Sequence, residues 1–265
     1  MMDITIGQYY PGNSIIHRLD PRTKIICTLI FISAVFLAKT YLAYAVIAAF
    51  VACVLAIAKL PVRLVFKSIK PLWVIILLTM VVHFFTAKGE AIWSWWILSV
   101  TQEGLDLGIM MSLRLVFLIL FSSLLTFTTS PIVLTDGIEN LLRPFKRVGV
   151  PAHELAMMMT IALRFIPTLL EETDKIMKAQ TSRGADFASG NLVKKAKNLV
   201  PLLVPLFISA FRRADDLATA MEARCYRGGE GRTRMHVLQF AGRDKVAFAI
   251  VIIFVLLLAF FRYNI

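Results

Sequence analysis

The chain has 265 residues, 58% of them apolar, more than an ordinary soluble domain carries, and this excludes a conventional water-soluble fold. Its net charge of +12 would suggest nucleic acid in a soluble chain. Beside long apolar runs it fits lysines and arginines flanking membrane spans on the cytoplasmic side, so the lipid bilayer is expected as a partner and nucleic acid is not.

The N-terminal stretch "MMDITIGQYYPGNS" lacks the basic region and short apolar core of a cleaved signal, so the first hydrophobic run is expected to be retained. In "HRLDPRTK", Asp20 is placed to cap a helix and Pro21 to occupy its first position. A helical crossing needs roughly 17 to 25 apolar residues. Candidate spans lie at about 24–39, 41–58, 71–87, 109–129 and 246–261, the first and last being short. The second carries Ala45, Ala49, Ala52 and Ala56 on one face, a small-residue stripe read as packing inside the bundle in preference to a site for a partner's helix. Arg114, inside the fourth, either marks a polar pathway or snorkels to the interface. Arg18, Arg22 and Lys24 precede the first span, and Lys59, Arg63, Lys67 and Lys70 separate the second from the third. The loop 88–106 holds Lys88 against Glu90, Glu103 and Asp106. The positive-inside rule then puts the N-terminus and region 131–242 in the cytoplasm.

Region 131–242 holds 16 of the 29 basic and 11 of the 17 acidic residues, and no uninterrupted span is expected there. It reads as amphipathic helices along the cytoplasmic face. A short interfacial helix begins at Pro131 and breaks at Pro144, Gly149 and Pro151. Two long segments follow, each apolar first and charged later, with Pro167 inside one and Pro201 and Pro205 inside the other; each is a kinked helix pair or a long bent helix. Aligned on Arg183 and Arg224, they share an aspartate nine residues earlier, Asp174 and Asp215, while Glu171 and Glu172 stand where Arg212 and Arg213 stand in the second copy. Unlike charges would meet if the helices cross there.

Both segments end in an arginine followed by a glycine-rich break, "SRG" at 182–184 and "ARCYRGG" at 223–229. An arginine at a helix C-terminus complements the dipole, and glycine beyond it supplies a left-handed cap. The planar guanidinium also fits carboxylates on another protein, and two tips ending alike favour docking. No nucleotide-binding loop is present, since "GGEGRTR" lacks the lysine and hydroxyl that hold phosphate and magnesium. His17, His83, His153 and His236 have no helical i, i+4 partner, and Cys27, Cys53 and Cys225 no ligand spacing, so structural or surface roles are expected rather than metal ligation. The run Met157–Met159 is read as packing, although flexible thioethers also suit a surface that meets several partners.

"GQYYPGNSIIHRLDPRTK", "LRFIPTLLEETDKIMKAQTSRG" and "AMEARCYRGG" together resemble the transmembrane T subunits of energy-coupling factor transporters, ABC-type importers of vitamins and related micronutrients. The resemblance implies a non-catalytic, all-α multi-pass protein of the cell membrane. It would join two cytoplasmic ABC ATPases, which carry ATP and magnesium, to a membrane-embedded substrate-binding S component, binding no cofactor itself. It also implies that two Ala-Arg-Gly-type triplets enter grooves of the ATPases. By position these are Ser182, Arg183, Gly184 and Ala223, Arg224, Cys225. Serine for alanine is a small departure; cysteine for glycine makes a left-handed cap at 225 costly, so a turn at Gly228 or Gly229 is expected instead. The expected organisation is a four-span membrane domain at 1–130, cytoplasmic coupling helices at 131–242 and a C-terminal span at 243–265. The alternative is a stand-alone secondary transporter, for which the spans lack paired midplane charges.

Overall fold

A computed structural model describes residues 9–86, 91–95, 98–185, 187, 192–229 and 238–264. Helices dominate: α1 (Pro21–Val35), α2 (Tyr41–Ala58), α3 (Val62–Ile69), α4 (Trp73–Thr86), α5 (Gln102–Thr128), α6 (Pro131–Leu142), α7 (Ala152–Ser182), α8 (Leu192–Ala223) and α9 (Gly242–Asn264). The loop between the third and fourth expected spans contains a small antiparallel hairpin, β1 (Ala91–Trp95) with β2 (Leu98–Thr101), paired Trp93 to Val100 and Trp95 to Leu98. The protein is an all-α membrane protein with this one hairpin among its described residues.

Among the described residues, five helical stretches are long and apolar enough to cross a membrane: Tyr41–Ala58, Val62–Thr86, Gln102–Thr128, Ala152–Ser182 and Gly242–Tyr263. Two expectations change. α1 has 15 residues, about 22 Å of helix against a hydrocarbon core of about 30 Å, so it falls short of a full crossing. α7 qualifies by length and composition, so the expectation that no span fits within 131–242 is corrected. Its charges lie mainly after Pro167, which leaves the first half apolar enough.

The chain forms two compact units, one from residues 1–138 with 237–265, the other from 139–236. In the first, α1 is central despite its length. Phe31 and Val35 are wholly buried, and the Phe31 ring stacks on Phe121 of α5 at 3.8 Å between centroids and near Phe254 of α9 at 5.7 Å. Phe50 of α2 stacks on Phe254 at 4.2 Å. Four helices thus share one layered phenyl stack, with Ile47 and Leu258 buried in the same cluster. Offset aromatic stacking contributes about 0.5–1.5 kcal/mol per pair beyond area burial.

Side chains tie the helix ends of this unit together. Asp20 caps α1 as expected: its Oδ1 accepts the Arg22 N–H at 2.9 Å, and its carboxylate takes two bonds from the Arg22 guanidinium. Asp244, 1% exposed at the start of α9, accepts the backbone N–H of Asp20 at 2.9 Å and of Ala241 at 2.8 Å. Buried Lys24 Nζ donates to the carbonyls of His17 and Thr128 and to the Thr129 hydroxyl, closing the end of α5. Arg114 is half-buried. It turns inward, where Nη2 donates to the Ala38 carbonyl just beyond α1 at 3.2 Å and the guanidinium faces the Phe36 ring.

The reading of the alanine stripe as packing within the chain is corrected. Ala45, Ala49, Ala52 and Ala56 are exposed, while Ala43, Tyr44, Ile47 and Val51 form the inner face of α2. Bulk decides this, since the larger side chains of the opposite face fill the core.

Asp244→Ala leaves two backbone donors without their acceptor, at about 1–3 kcal/mol for each buried orphan. The variant should lose about 3 kcal/mol, read as a lowered unfolding midpoint in detergent, with Asp244→Asn intermediate. An unchanged midpoint would show that water replaces the carboxylate.

Candidate functional site

The second unit presents the two tips. α7 and α8 each run unbroken through their prolines, 31 and 32 residues long, and pack on one another. Where they meet, Arg213 Nη2 donates to Glu172 Oε2 at 3.4 Å, with both side chains partly exposed. Each stands eleven residues before its tip arginine, so equivalent positions of the two helices touch and the arms beyond are of equal length, about 16 Å. Glu171 and Arg212 are exposed, and among the described residues no ion pair joins them.

The two C-termini have the same hydrogen-bonding pattern. At the first, Gly184 N–H bonds to Thr181 O at 2.9 Å and Ala185 N–H reaches back to Gln180 O at 3.0 Å. At the second, Cys225 N–H bonds to Glu222 O at 2.8 Å and Tyr226 N–H to Met221 O at 3.1 Å. This paired 5→2 and 6→1 arrangement is a Schellman cap, and it requires a left-handed residue just after the arginine. Gly184 has φ 90° and Cys225 φ 55°. The expectation that the turn would move from Cys225 to Gly228 or Gly229 is therefore corrected: Cys225 itself makes the cap, and Gly228 adds a further left-handed residue with φ 86°. The cap's pair of hydrogen bonds outweighs a penalty of about 1–2 kcal/mol for a side chain in this conformation.

The backbone pairs two of the last carbonyls at each tip, and the arginine side chains are not used to cap them. Ser182, Arg183, Gly184, Ala223, Arg224 and Cys225 are all exposed, and neither guanidinium meets a partner among the described residues. Ser182 bonds back to the Lys178 carbonyl, so its hydroxyl stays within its own helix. Sequence reasoning missed what fixes the second tip. His153, in the first turn of α7, places Nδ1 3.1 Å from Glu139 Oε1 and Nε2 3.2 Å from the Tyr226 hydroxyl. A separation of 73 residues between His153 and Tyr226 gives no local signal.

The family model described as cobalt transport protein, CbiQ, matches residues 12–237. Among curated proteins, the energy-coupling factor transporter transmembrane protein EcfT of Acidaminococcus fermentans is 66% identical over 265 residues, covering 100% of this chain and 99% of that protein. That of Bacillus subtilis is 50% identical over 264 residues, 99% of this chain and 100% of the relative. The chain belongs to the EcfT family. The EcfT of Ruminiclostridium cellulolyticum, 58% identical over 252 residues, covers 95% of the chain and 94% of its own length. The long helices agree with the transmembrane description that these EcfT relatives carry.

Two outcomes follow from the tip geometry. Cys225→Gly should relieve about 1 kcal/mol of strain and slow amide exchange at residues 225–226 about fivefold, while Cys225→Val should hasten it. Equal exchange in all three proteins would show that the turn is not held in solution. Glu172→Arg and Arg213→Glu should each lower the unfolding midpoint slightly, as expected for a pair contributing about 0–1 kcal/mol, and the double swap should restore it. Additive losses would show that the two side chains do not pair.

Proposed function

We propose that this chain is the energy-coupling subunit of an ECF-type importer, a non-catalytic member whose two tips dock on two cytoplasmic ABC ATPases. The observation that carries this reading is the pair of matching caps, each presenting an exposed arginine that is not used in the capping. A groove lined by carboxylates or helix-end carbonyls would receive each guanidinium through charge-assisted bonds of about 1.5–3 kcal/mol. ATP and magnesium would reside on those partners, and ATP-driven closure would move the two arms about their crossing near Glu172 and Arg213. The exposed apolar parts of α7 and α8, including Met158, Met159, Phe207 and Phe211, would carry the movement to a membrane-embedded S component that selects the vitamin or micronutrient. The distribution of lysine and arginine supports a cytoplasmic N-terminus and cytoplasmic tips.

The test is substrate uptake together with ATP hydrolysis in proteoliposomes holding the full complex. Arg183→Ala or Arg224→Ala alone should weaken one contact and leave a complex, whereas the double variant should uncouple hydrolysis from uptake or dissolve the assembly. Arg→Lys should substitute poorly, because the charge remains while the planar fork is lost. Normal coupled uptake by the double alanine variant would show that the arginines are only helix caps.

A further inference from the structure

The two tips share a cap and differ in what holds it. At the first, the residue following the left-handed position is Ala185, and a Cβ placed on Gly184 would meet nothing within 4 Å. At the second, the equivalent residue is Tyr226, whose hydroxyl lies 3.2 Å from His153 Nε2. The same imidazole lies against the chain again three residues on, where a Cβ on Gly229 would stand 2.5 Å from His153 Cδ2. Its other nitrogen, Nδ1, faces Glu139 Oε1 of α6 at 3.1 Å. A carboxylate on Nδ1 requires a proton there, which fixes the ring's orientation and leaves Nε2 of the neutral ring to accept from tyrosine.

We propose that His153, oriented by Glu139, is a positioning residue that clamps the second docking tip to the beginning of α7, so that the two tips are not equivalent: Arg224 is presented on a braced segment and Arg183 on one with no such brace among the described residues. The inference rests on the reading of both tips as ATPase-docking elements and adds a division of labour between them. Bracing removes conformational freedom before docking, so the second tip should lose less entropy on engagement and make the stronger contact. Glycine at 229 belongs to the same device, since any side chain there would push the ring off the chain.

The test begins with the full chain in lipid nanodiscs without ATPases, read by amide exchange of the segments around 221–229 and 178–185. Tyr226→Phe deletes only a hydroxyl and His153→Ala removes the ring. Each should speed exchange around 221–229 about tenfold and leave 178–185 unchanged, and the double variant should be no faster than either single one. Unchanged exchange in both, or strictly additive effects, would overturn the clamp.

The second arm measures capture of the two ATPases by the same variants. His153→Ala should weaken capture about tenfold when combined with Arg183→Ala and add nothing to Arg224→Ala. Equal losses in the two backgrounds would mean that His153 serves general stability and not the second tip. Coupled uptake by the double arginine variant would sink the docking reading itself, whatever the exchange experiment gives.

Discussion

An unpaired backbone group costs far more in an apolar surrounding than in water, and that constraint governs where each helix of this protein can begin or end. The membrane unit meets it with buried charges. Asp244 reaches from the start of α9 to the N-terminus of α1, and Lys24 reaches from α1 to the last carbonyls of α5. These bonds set three helix ends side by side, and the common level lets Phe31, Phe121 and Phe254 stack as nearly parallel plates, 15° apart in both contacts with Phe31. Arg114 meets the same constraint near the other end of α1 by donating to Ala38. Charges that look out of place in an apolar sequence are therefore the groups that let the apolar packing exist.

The tips meet the constraint in the opposite way. At each tip the backbone itself pairs two of the last carbonyls through a left-handed residue, and among the described residues neither arginine is consumed in capping. Had Arg183 and Arg224 been needed to cover those carbonyls, they would have been unavailable to a partner. Cys225 illustrates how strongly the cap geometry is imposed: a residue with a Cβ is held at φ 55° where its counterpart is a glycine at φ 90°.

Features set by neighbours in sequence were readable in advance. Asp20 and Pro21 announce the start of α1, Gly149 ends the turn after α6, and the internal likeness of the two long helices brings glutamate opposite arginine at equivalent positions. Periodicity showed that four alanines share a face of α2 but could not show that none of the described residues covers it. Charge counting across 131–242 hid the apolar first half of α7 because it averaged over the charged second half. The pairing of His153 with Tyr226 was beyond reach, since it exists only once α7 and α8 have packed. The Cys225 turn was misjudged for a related reason: an intrinsic preference of about 1 kcal/mol was weighed without the two hydrogen bonds that oppose it.

The placement of the prolines gives the crossed helices a mechanical character. Pro167 lies five residues before Glu172, and Pro201 and Pro205 lie twelve and eight before Arg213, so all three fall on the far side of the crossing from the tips. A proline removes one rung of the helical hydrogen-bond ladder and lowers resistance to bending there. From the crossing to each cap the ladder carries no proline, and Thr173, Thr181 and Thr219 back-bond to carbonyls four residues earlier without breaking it. A force applied at either tip would therefore reach the crossing along a stiff arm of about 16 Å. Deformation would concentrate in the apolar, proline-bearing halves beyond. On the proposed reading this puts the compliance where an S component would sit and the rigidity where ATPases would push, an arrangement suited to converting a small closure at the tips into a tilt within the membrane.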